Sequence, residues 1–397
     1  MSLYRELRWT LLIQSLGALS SLGTVVLVGL LAGAAAQGAF SRLKSTLDLL
    51  MAVAMLGIPQ GLLYFQRQGM VTREKIVQLT QVTALLGLTS ALAYGLFAEG
   101  MALTTLVLLA VTTAAGAAHG VMRGAILAGL ASSAFNAITV LPQVLLMLGA
   151  VAVPSIATLA GTDPTLPFFL AWLSSAAVAA LMTRKLALPT PATSVGLVPL
   201  MKFSTAAWLV AVFTSASPAL WLHHIGTTSG LQATGLFAMG LVGVQVVLTP
   251  ANYAAPLLFK HWIGNASLAP TKAALRYGLG VLAAMAVCVS VLQLAPWPSV
   301  LSEYALLANV AGYFAAVAVL ESILRIACVA CNAQGRPWHA VAAELARLLV
   351  LMGTILIAPP AGLEALAQAW ALASLSAVIA LACTTRLWPA KPASLTP

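Results

Sequence analysis

Long apolar stretches constrain the fold of this sequence more than any other feature does. Across its 397 residues, runs of mostly apolar residues follow one another with short polar breaks between them. Each run is about twenty residues long, which a helix needs to cross roughly 30 Å of hydrocarbon with its backbone hydrogen bonds satisfied internally. Charged residues make up 7% of the chain, whereas soluble domains carry roughly 25%. We therefore expect an all-α polytopic membrane protein that lies in the lipid bilayer.

The apolar runs predict about twelve transmembrane helices, which begin and end where charged, Gly, Pro or Trp residues interrupt the runs. The first run follows Arg5 and Arg8, as in a secretory signal, but it is longer than the roughly 7–15 residues of a signal core. We expect it to be retained as a helix. The twelve helices are predicted near residues 9–33, 42–66, 76–98, 101–121, 124–148, 166–183, 199–221, 235–259, 273–295, 303–328, 338–357 and 365–387.

The distribution of basic residues predicts the orientation in the membrane. With twelve spans, both termini lie on one side, and most of the 19 Lys and Arg residues fall on that side or in its connections. Cytoplasmic loops carry such an excess, so both termini are predicted to be cytoplasmic. Because the basic residues lie between apolar runs, the net charge of +10 does not indicate a nucleic-acid partner. The exceptions to the asymmetry are Arg42, Lys44, Arg325 and Arg347.

A weak internal repeat predicts two six-helix lobes, residues 1–190 and 191–397, joined through the proline-containing connection at 184–199. Since each half has an even number of spans, the lobes insert in the same orientation and are related by a pseudo-two-fold axis along the membrane normal. An offset of 197 residues aligns Gly33 with Gly230, Gly38 with Gly235, Phe40 with Phe237, Asp48 with Gln245 and Pro59 with Pro256.

Two stretches of the sequence carry a family resemblance. Residues 331–341 read CNAQGRPWHAV, and residues 30–69 combine a Gly-x-aromatic pattern, a Gly-x-Pro pattern and an aromatic exit that ends in a basic residue. In the second stretch these residues are Gly38, Phe40, Gly57, Pro59, Tyr64, Phe65 and Arg67. Both stretches resemble Wzx-type polysaccharide flippases, of the multidrug/oligosaccharidyl-lipid/polysaccharide exporter superfamily.

The resemblance implies a protein of the bacterial inner membrane with two six-helix lobes around a central polar cavity. Such a flippase moves an undecaprenyl-diphosphate-linked oligosaccharide from the cytoplasmic to the periplasmic leaflet by alternating access, with a polysaccharide polymerase as a possible partner. The sugar crosses through the cavity while the polyprenyl tail stays in lipid. A bare sugar diphosphate in hydrocarbon would instead leave many polar groups unsatisfied, each at a cost of a few kcal/mol.

Ionisable residues within spans are candidate functional residues, because they are costly to place in a bilayer. Asp48 has Lys44 one turn earlier, and the two charges either neutralise each other or serve transport. Its repeat mate Gln245 begins a polar stripe with Thr249 and Asn252, so the two faces suggest cavity walls. We consider Asp48 a candidate site for coupling to a proton or sodium gradient.

Four further charges, Glu321, Arg325, Glu344 and Arg347, lie in the predicted helices 10 and 11 at helical spacing. They either form a balanced structural network or release one arginine to bind diphosphate, and the two glutamates are also candidates for ion coupling. Arg42 and Lys44, the basic pair on the predicted periplasmic side, either anchor to lipid headgroups or receive the diphosphate there.

The alternative function is that of a multidrug or small-molecule exporter, a secondary antiporter. An enzyme of envelope assembly is not expected, because no long connection offers room for an acid/base constellation beside the membrane. No cofactor is expected either. The four cysteines lie in apolar runs, and Cys328 and Cys331 lack a second pair to complete a metal site.

Overall fold

Twelve α-helices make up most of the chain that the computed structural model describes, which is residues 3–97, 101–129, 132–152, 165–186, 195–262, 270–294, 299–334 and 336–387. This part contains no strands, and the prediction of an all-α polytopic fold with about twelve helices is confirmed. The helices are α1 Leu3–Met55, α2 Ile58–Arg67, α3 Arg73–Phe97, α4 Leu103–Gly129, α5 Ser132–Ala152, α6 Leu166–Thr183, α7 Leu197–Thr228, α8 Gly230–Trp262, α9 Pro270–Leu294, α10 Leu307–Ala333, α11 Pro337–Ile357 and α12 Gly362–Leu387, with a 3-10 segment at Ser299–Leu306.

Ten helices of the described residues are long and apolar enough to cross a membrane. The first apolar stretch, Arg8–Met55, has 48 residues. At about 1.5 Å per residue it is roughly 72 Å long, more than twice the thickness of the hydrocarbon core, so it holds two spans. The apolar part of α9 is shorter, at Ala274–Ser290. These observations account for the difference between ten apolar helices and twelve predicted spans.

Two of the predicted connections between helices are wrong, and the reason is a glycine in each. Residues 34–41 are helical, as are 222–228 and 231–234, and the chain changes direction at Gly33 inside α1 and at Gly230 at the start of α8. Their φ angles are 82° and 86°, in the left-handed region that glycine adopts without strain. The two glycines are 197 residues apart, which is the offset of the predicted repeat, and the chain turns at both of them through a glycine with positive φ.

The predicted helix at 42–66 ends within one residue of the observed end at Arg67, but it starts too late and is divided at Leu56 and Gly57, which both have positive φ. The division frees carbonyl groups at the end of α1, because the residues that would bond to them leave the helix. The indole N–H of Trp208 donates to one of them, the carbonyl of Val53, at 3.1 Å. A β-carbon at Gly57 would clash with the backbone of α7. The glycine of the Gly-x-Pro pattern therefore allows α7 to pack closely against this part of the chain.

α1 and α8 cross backbone to backbone. A β-carbon at Gly38 would clash with the carbonyl oxygen of Leu231, and one at Gly235 would clash with that of Ala34. Ala34 and Leu231 are themselves 197 residues apart, so the two contacts are reciprocal. Small residues permit such close approach of helices in membranes. The aligned glycines of the repeat therefore meet at one crossing point.

The chain divides into two compact units. Unit 1 comprises Met1–Ala254 with Pro296–Leu307, and unit 2 comprises Ala255–Ala295 with Ala308–Pro397. In unit 1, α4 is the most enclosed helix, and its Gly124 lies against the backbone of Pro59 while its Gly116 faces Met51. The lobes at 1–190 and 191–397 stay a prediction.

Candidate functional site

A cavity of about 260 Å³ lies within unit 1, among residues of α1, α3, α4, α7 and α8. Most of its lining is apolar, but it also contains one arginine, one histidine, one tyrosine and two threonines. These residues are Ala39, Arg42, Leu43, Thr46, Tyr94, Met101, Thr105, Leu109, His223 and Leu231. Leu231 also belongs to the crossing of α1 and α8, which therefore borders the cavity on that side.

Arg42 provides the positive charge of the cavity. Its guanidinium lies 3.1 Å from Nδ1 of His223. Because a guanidinium can only donate, Nδ1 of His223 accepts this bond and the proton of the neutral ring is on Nε2. Gly226, one turn after His223, makes room for the arginine, since a β-carbon there would lie 2.7 Å from a guanidinium nitrogen. Helix α7 thus contacts Arg42 through Nδ1 of His223 and through the backbone at Gly226, which has no side chain.

Lys44 and Asp48 form the predicted pair, with Nζ and Oδ2 2.6 Å apart. Their side chains are 41% and 44% exposed, and neither residue lines the cavity that contains Arg42. The two charges neutralise each other where they stand. The role of this pair in transport stays a prediction.

The polar stripe of α8 lies apart from this cavity. Gln245 is exposed, and Thr249 and Asn252 are half-buried. The hydroxyl of Thr249 donates to the carbonyl of Gln245 at 2.9 Å, which is a bond within its own helix. None of the three residues lines the cavity that contains Arg42, and their assignment to a cavity wall stays a prediction.

The four charges predicted in helices 10 and 11 meet in unit 2. Arg347 of α11 donates to the carboxylates of Glu321 in α10 and of Glu344 in its own helix. All three side chains are less than 5% exposed. Ser374 of α12 donates to the same Glu321 oxygen at 3.1 Å. The network therefore links three helices through one buried guanidinium.

Arg325 is bound much more weakly than Arg347. Its guanidinium lies 4.0 Å from Glu321, at the limit of an ion pair, and its side chain is 24% exposed. Its buried Nε has no hydrogen-bond partner among the described residues. A guanidinium between two buried carboxylates cannot leave without stranding them. Of the two arginines, Arg325 is therefore the less tightly bound, and its binding of a ligand stays a prediction.

Sequence reasoning missed His223, Tyr94 and Thr105 as cavity residues. His223 binds Arg42 across 181 positions of sequence, and no local pattern marks such a contact. No cluster of His, Cys, Asp or Glu suited to a metal ion occurs in the described ranges, where Cys328 and Cys331 are buried free thiols.

No protein-family model matches the sequence, and no curated protein matches it. Solved structures do match it over nearly its whole length. The MATE multidrug transporter DinF-BH superimposes with a TM-score of 0.66 at 14% identity, over 96% of this chain and 95% of that chain. An inward-facing MATE family multidrug resistance transporter of the MOP superfamily gives 0.61 at 15% identity, over 94% of both chains.

A third match is a MOP superfamily transporter from Pyrococcus furiosus Vc1, with a TM-score of 0.62 at 12% identity, over 98% of this chain and 96% of that chain. The reversed polarity of its binding pocket suggests a different function for that protein. At such identities the likeness establishes the fold alone. The chain has a MATE-like transporter fold and is a multi-pass membrane protein, while the narrower resemblance to Wzx-type flippases is not established by these matches.

Proposed function

We propose that this chain is a secondary exporter, which moves a small amphipathic molecule across the bacterial inner membrane by alternating access. The observation that carries the proposal is the MATE-like fold over at least 94% of the chain, since its named neighbours include multidrug transporters. The alternative function predicted from the sequence, a multidrug or small-molecule exporter, thus becomes the main proposal.

The cavity of unit 1 supports a transport cycle. It is bordered by the α1–α8 crossing, where backbones touch and leave no room for a solute. On the predicted orientation this crossing is at the periplasmic side, because it follows the first predicted span. The proposed cycle opens the crossing after substrate has entered from the cytoplasmic side. We propose that both termini lie on that side.

The chemistry of the cavity limits its ligand. Leu43, Met101 and Leu109 offer apolar surface, while Arg42 offers a cation with a planar fork of donors. The cavity volume of about 260 Å³ is slightly below the roughly 300–1,000 Å³ of sites for whole drug-sized ligands. We therefore propose that a compact part of the substrate binds there, with a polar or anionic group at Arg42 and apolar atoms against the apolar lining.

A second candidate function is flipping of an undecaprenyl-diphosphate-linked oligosaccharide. Arg42 favours it, because a guanidinium binds phosphate oxygens in a bidentate manner. Within unit 2, considered by itself, we propose Arg325 as an arginine that can bind a diphosphate, and we assign Arg347 to the structural network. A polysaccharide polymerase is the proposed partner in this case. The reversed polarity of the binding pocket in the P. furiosus transporter supports the idea that proteins with this fold can have binding pockets of different polarity.

The proposed energy source is a proton or sodium gradient. Of the three carboxylates proposed for coupling, Glu321 and Glu344 are buried and bound by Arg347, whereas Asp48 is 44% exposed. Asp48 is the least enclosed of the three by protein and is not bound by Arg347, so we propose it as the coupling residue. Lys44 is its counter-charge in the described state.

The experiment that separates the candidates is deletion of the gene. The export proposal expects raised sensitivity to amphipathic toxic compounds with normal surface polysaccharide, whereas the flippase proposal expects loss of polysaccharide and accumulation of lipid-linked repeat units. Arg42→Ala should abolish complementation in either case. The control is Arg276→Ala, an exposed arginine of α9, which should complement fully. Full complementation by Arg42→Ala would contradict both assignments of the cavity.

A further inference from the structure

The break at Gly33 leaves the second part of α1, residues 34–55, with a helix start of its own. The first backbone N–H groups of a helix have no acceptor within it, so an acceptor from elsewhere stabilises them. Here the N–H of Ala34 donates to a carboxylate oxygen of Glu303 at 3.4 Å. Glu303 belongs to the 3-10 segment, 269 residues further along the chain. A distant segment therefore caps the helix start.

The next residue, Tyr304, contacts both parts of α1. Its side chain is buried and its hydroxyl donates to the side-chain oxygen of Gln37, after the break. The same hydroxyl lies against Gly29, before the break, where a β-carbon would clash with it. Tyr304 thus fits only because residue 29 is glycine. In this conformation the side chain of Tyr304 contacts both parts of α1 and so sets the angle between them.

At the corresponding break, Gly230, the neighbouring residues make different contacts. The positions equivalent to Gly29 and Gln37 are Gly226 and Thr234. Gly226 receives the side chain of Arg42 instead of a tyrosine, and the hydroxyl of Thr234 donates to the carbonyl of Gly230 at 2.9 Å. This bond within α8 uses the Thr234 hydroxyl as a donor and does not satisfy the first N–H groups of the helix, whereas the start of the second part of α1 has a carboxylate acceptor from the 3-10 segment.

We propose that Glu303 and Tyr304 form a latch that sets the angle between the two parts of α1 and that opens reversibly. The segment is well placed for this, because unit 1 ends at Leu307 and the chain continues directly into α10 in unit 2. The 3-10 segment is therefore the part of the chain that connects the latch covalently to α10. The idea rests on the proposed function only in that alternating access supplies the second state.

Gln37 supports a latch that opens. Its side chain is fully buried, and its amide nitrogen has no hydrogen-bond partner among the described residues. A buried donor without an acceptor is costly, so this state does not satisfy the residue completely. Opening of the latch gives that amide access to water or to another acceptor.

Hydrogen exchange on the purified full chain in lipid nanodiscs, without substrate, tests the latch. Tyr304→Phe removes one hydroxyl and keeps the ring. We expect the amides of residues 34–38 to exchange about five- to tenfold faster, as the loss of one ordinary hydrogen bond implies. The amides of residues 231–235 at the start of α8 are the internal reference and should not change.

The matched control is Tyr313→Phe. Tyr313 of α10 also uses its hydroxyl, with Glu364 at 3.2 Å and Gln368 at 2.7 Å, but it has no place in the latch. This variant should leave exchange at 34–38 unchanged. Gln37→Leu should reproduce the effect of Tyr304→Phe, and the double variant should add little, because both remove the same bond.

Two results would overturn the latch. One is unchanged exchange at residues 34–38 in Tyr304→Phe, and the other is an equal increase at the start of α8, which would mean general loosening. Neither result bears on export, which is measured separately in cells. Conversely, a deletion strain without any transport defect would reject the proposed function and leave the exchange result standing.

Discussion

Gly38 and Gly235 lie at equivalent positions of the repeat, and each faces a carbonyl oxygen of the other's helix, that of Leu231 and that of Ala34. The approach is too close for a β-carbon on either side. α1 and α8 are thus held together by backbone contact, and a change at one glycine disturbs the crossing that borders the cavity.

Gly38→Ala and Gly235→Ala should each destabilise the protein, because a β-carbon at either position meets backbone that cannot move aside. We expect a loss of about 1–3 kcal/mol, as for overpacked cores, measured as a lower melting temperature of the purified protein in detergent. The control is Gly243→Ala, also in α8, where a β-carbon meets nothing within 4 Å. Equal melting temperatures for all three variants would disprove the close crossing.

Arg347→Ala and Arg325→Ala should behave differently. Loss of Arg347 strands two buried carboxylates, and we expect a cost of about 3–5 kcal/mol and a strong fall in folded protein, measured by fluorescence-detected size-exclusion chromatography. Arg325→Ala should reach the membrane at normal levels, because its ion pair is long. Adding Glu321→Gln and Glu344→Gln to Arg347→Leu should restore much of the folded protein. Normal abundance of Arg347→Ala would show that the network is not structural.

Arg42→Lys should be less active than the native protein but more active than Arg42→Ala. Lysine keeps the charge but lacks the planar fork of donors and cannot hold an anion in a bidentate manner. The measurement is uptake into inverted membrane vesicles, or accumulation of lipid-linked repeat units, according to which candidate function holds. If Arg42→Lys were no better than Arg42→Ala, the positive charge of the cavity would not explain its function.

Asp48→Asn tests ion coupling. Asparagine keeps the size of the side chain and can still accept a hydrogen bond from Lys44, so we expect normal abundance. If Asp48 exchanges a proton or sodium ion, transport should be lost. The double variant Asp48→Asn with Lys44→Met should then remain inactive, whereas a purely structural pair predicts that the double variant is active. Full transport by Asp48→Asn alone would exclude a coupling role.

The orientation is tested by topology reporters. Alkaline phosphatase fused to the C-terminus should be inactive, because the Lys and Arg residues predict a cytoplasmic terminus and the enzyme is active only outside the cytoplasm. A fusion of green fluorescent protein at the same place should fluoresce. The opposite pair of results would reverse the predicted side of every connection, and with it the proposed direction of transport.

Several features followed from the sequence because they depend on local physics. The length of the apolar runs requires spanning helices, and residues 166–183 were bounded as the structure has them because polar and proline-containing stretches enclose that run. The alignment of Gly33 with Gly230 was also visible, since both turns need the same backbone conformation. The predicted connections at 34–41 and 222–234 are wrong because a turn at a single glycine with positive φ replaces a connection of several residues.

The contacts of the candidate site depended on tertiary structure. The sequence grouped Glu321, Glu344 and the two arginines by helical spacing, but spacing cannot tell which arginine is bound by both carboxylates; the packing of α10 against α11 decides that. In the same way, nothing near Arg42 in sequence indicates His223. The sequence by itself determined a polytopic helical chain, because the length of the hydrophobic runs is a local property. Only the tertiary structure decided which charges meet, because contacts across 181 residues depend on how the helices pack.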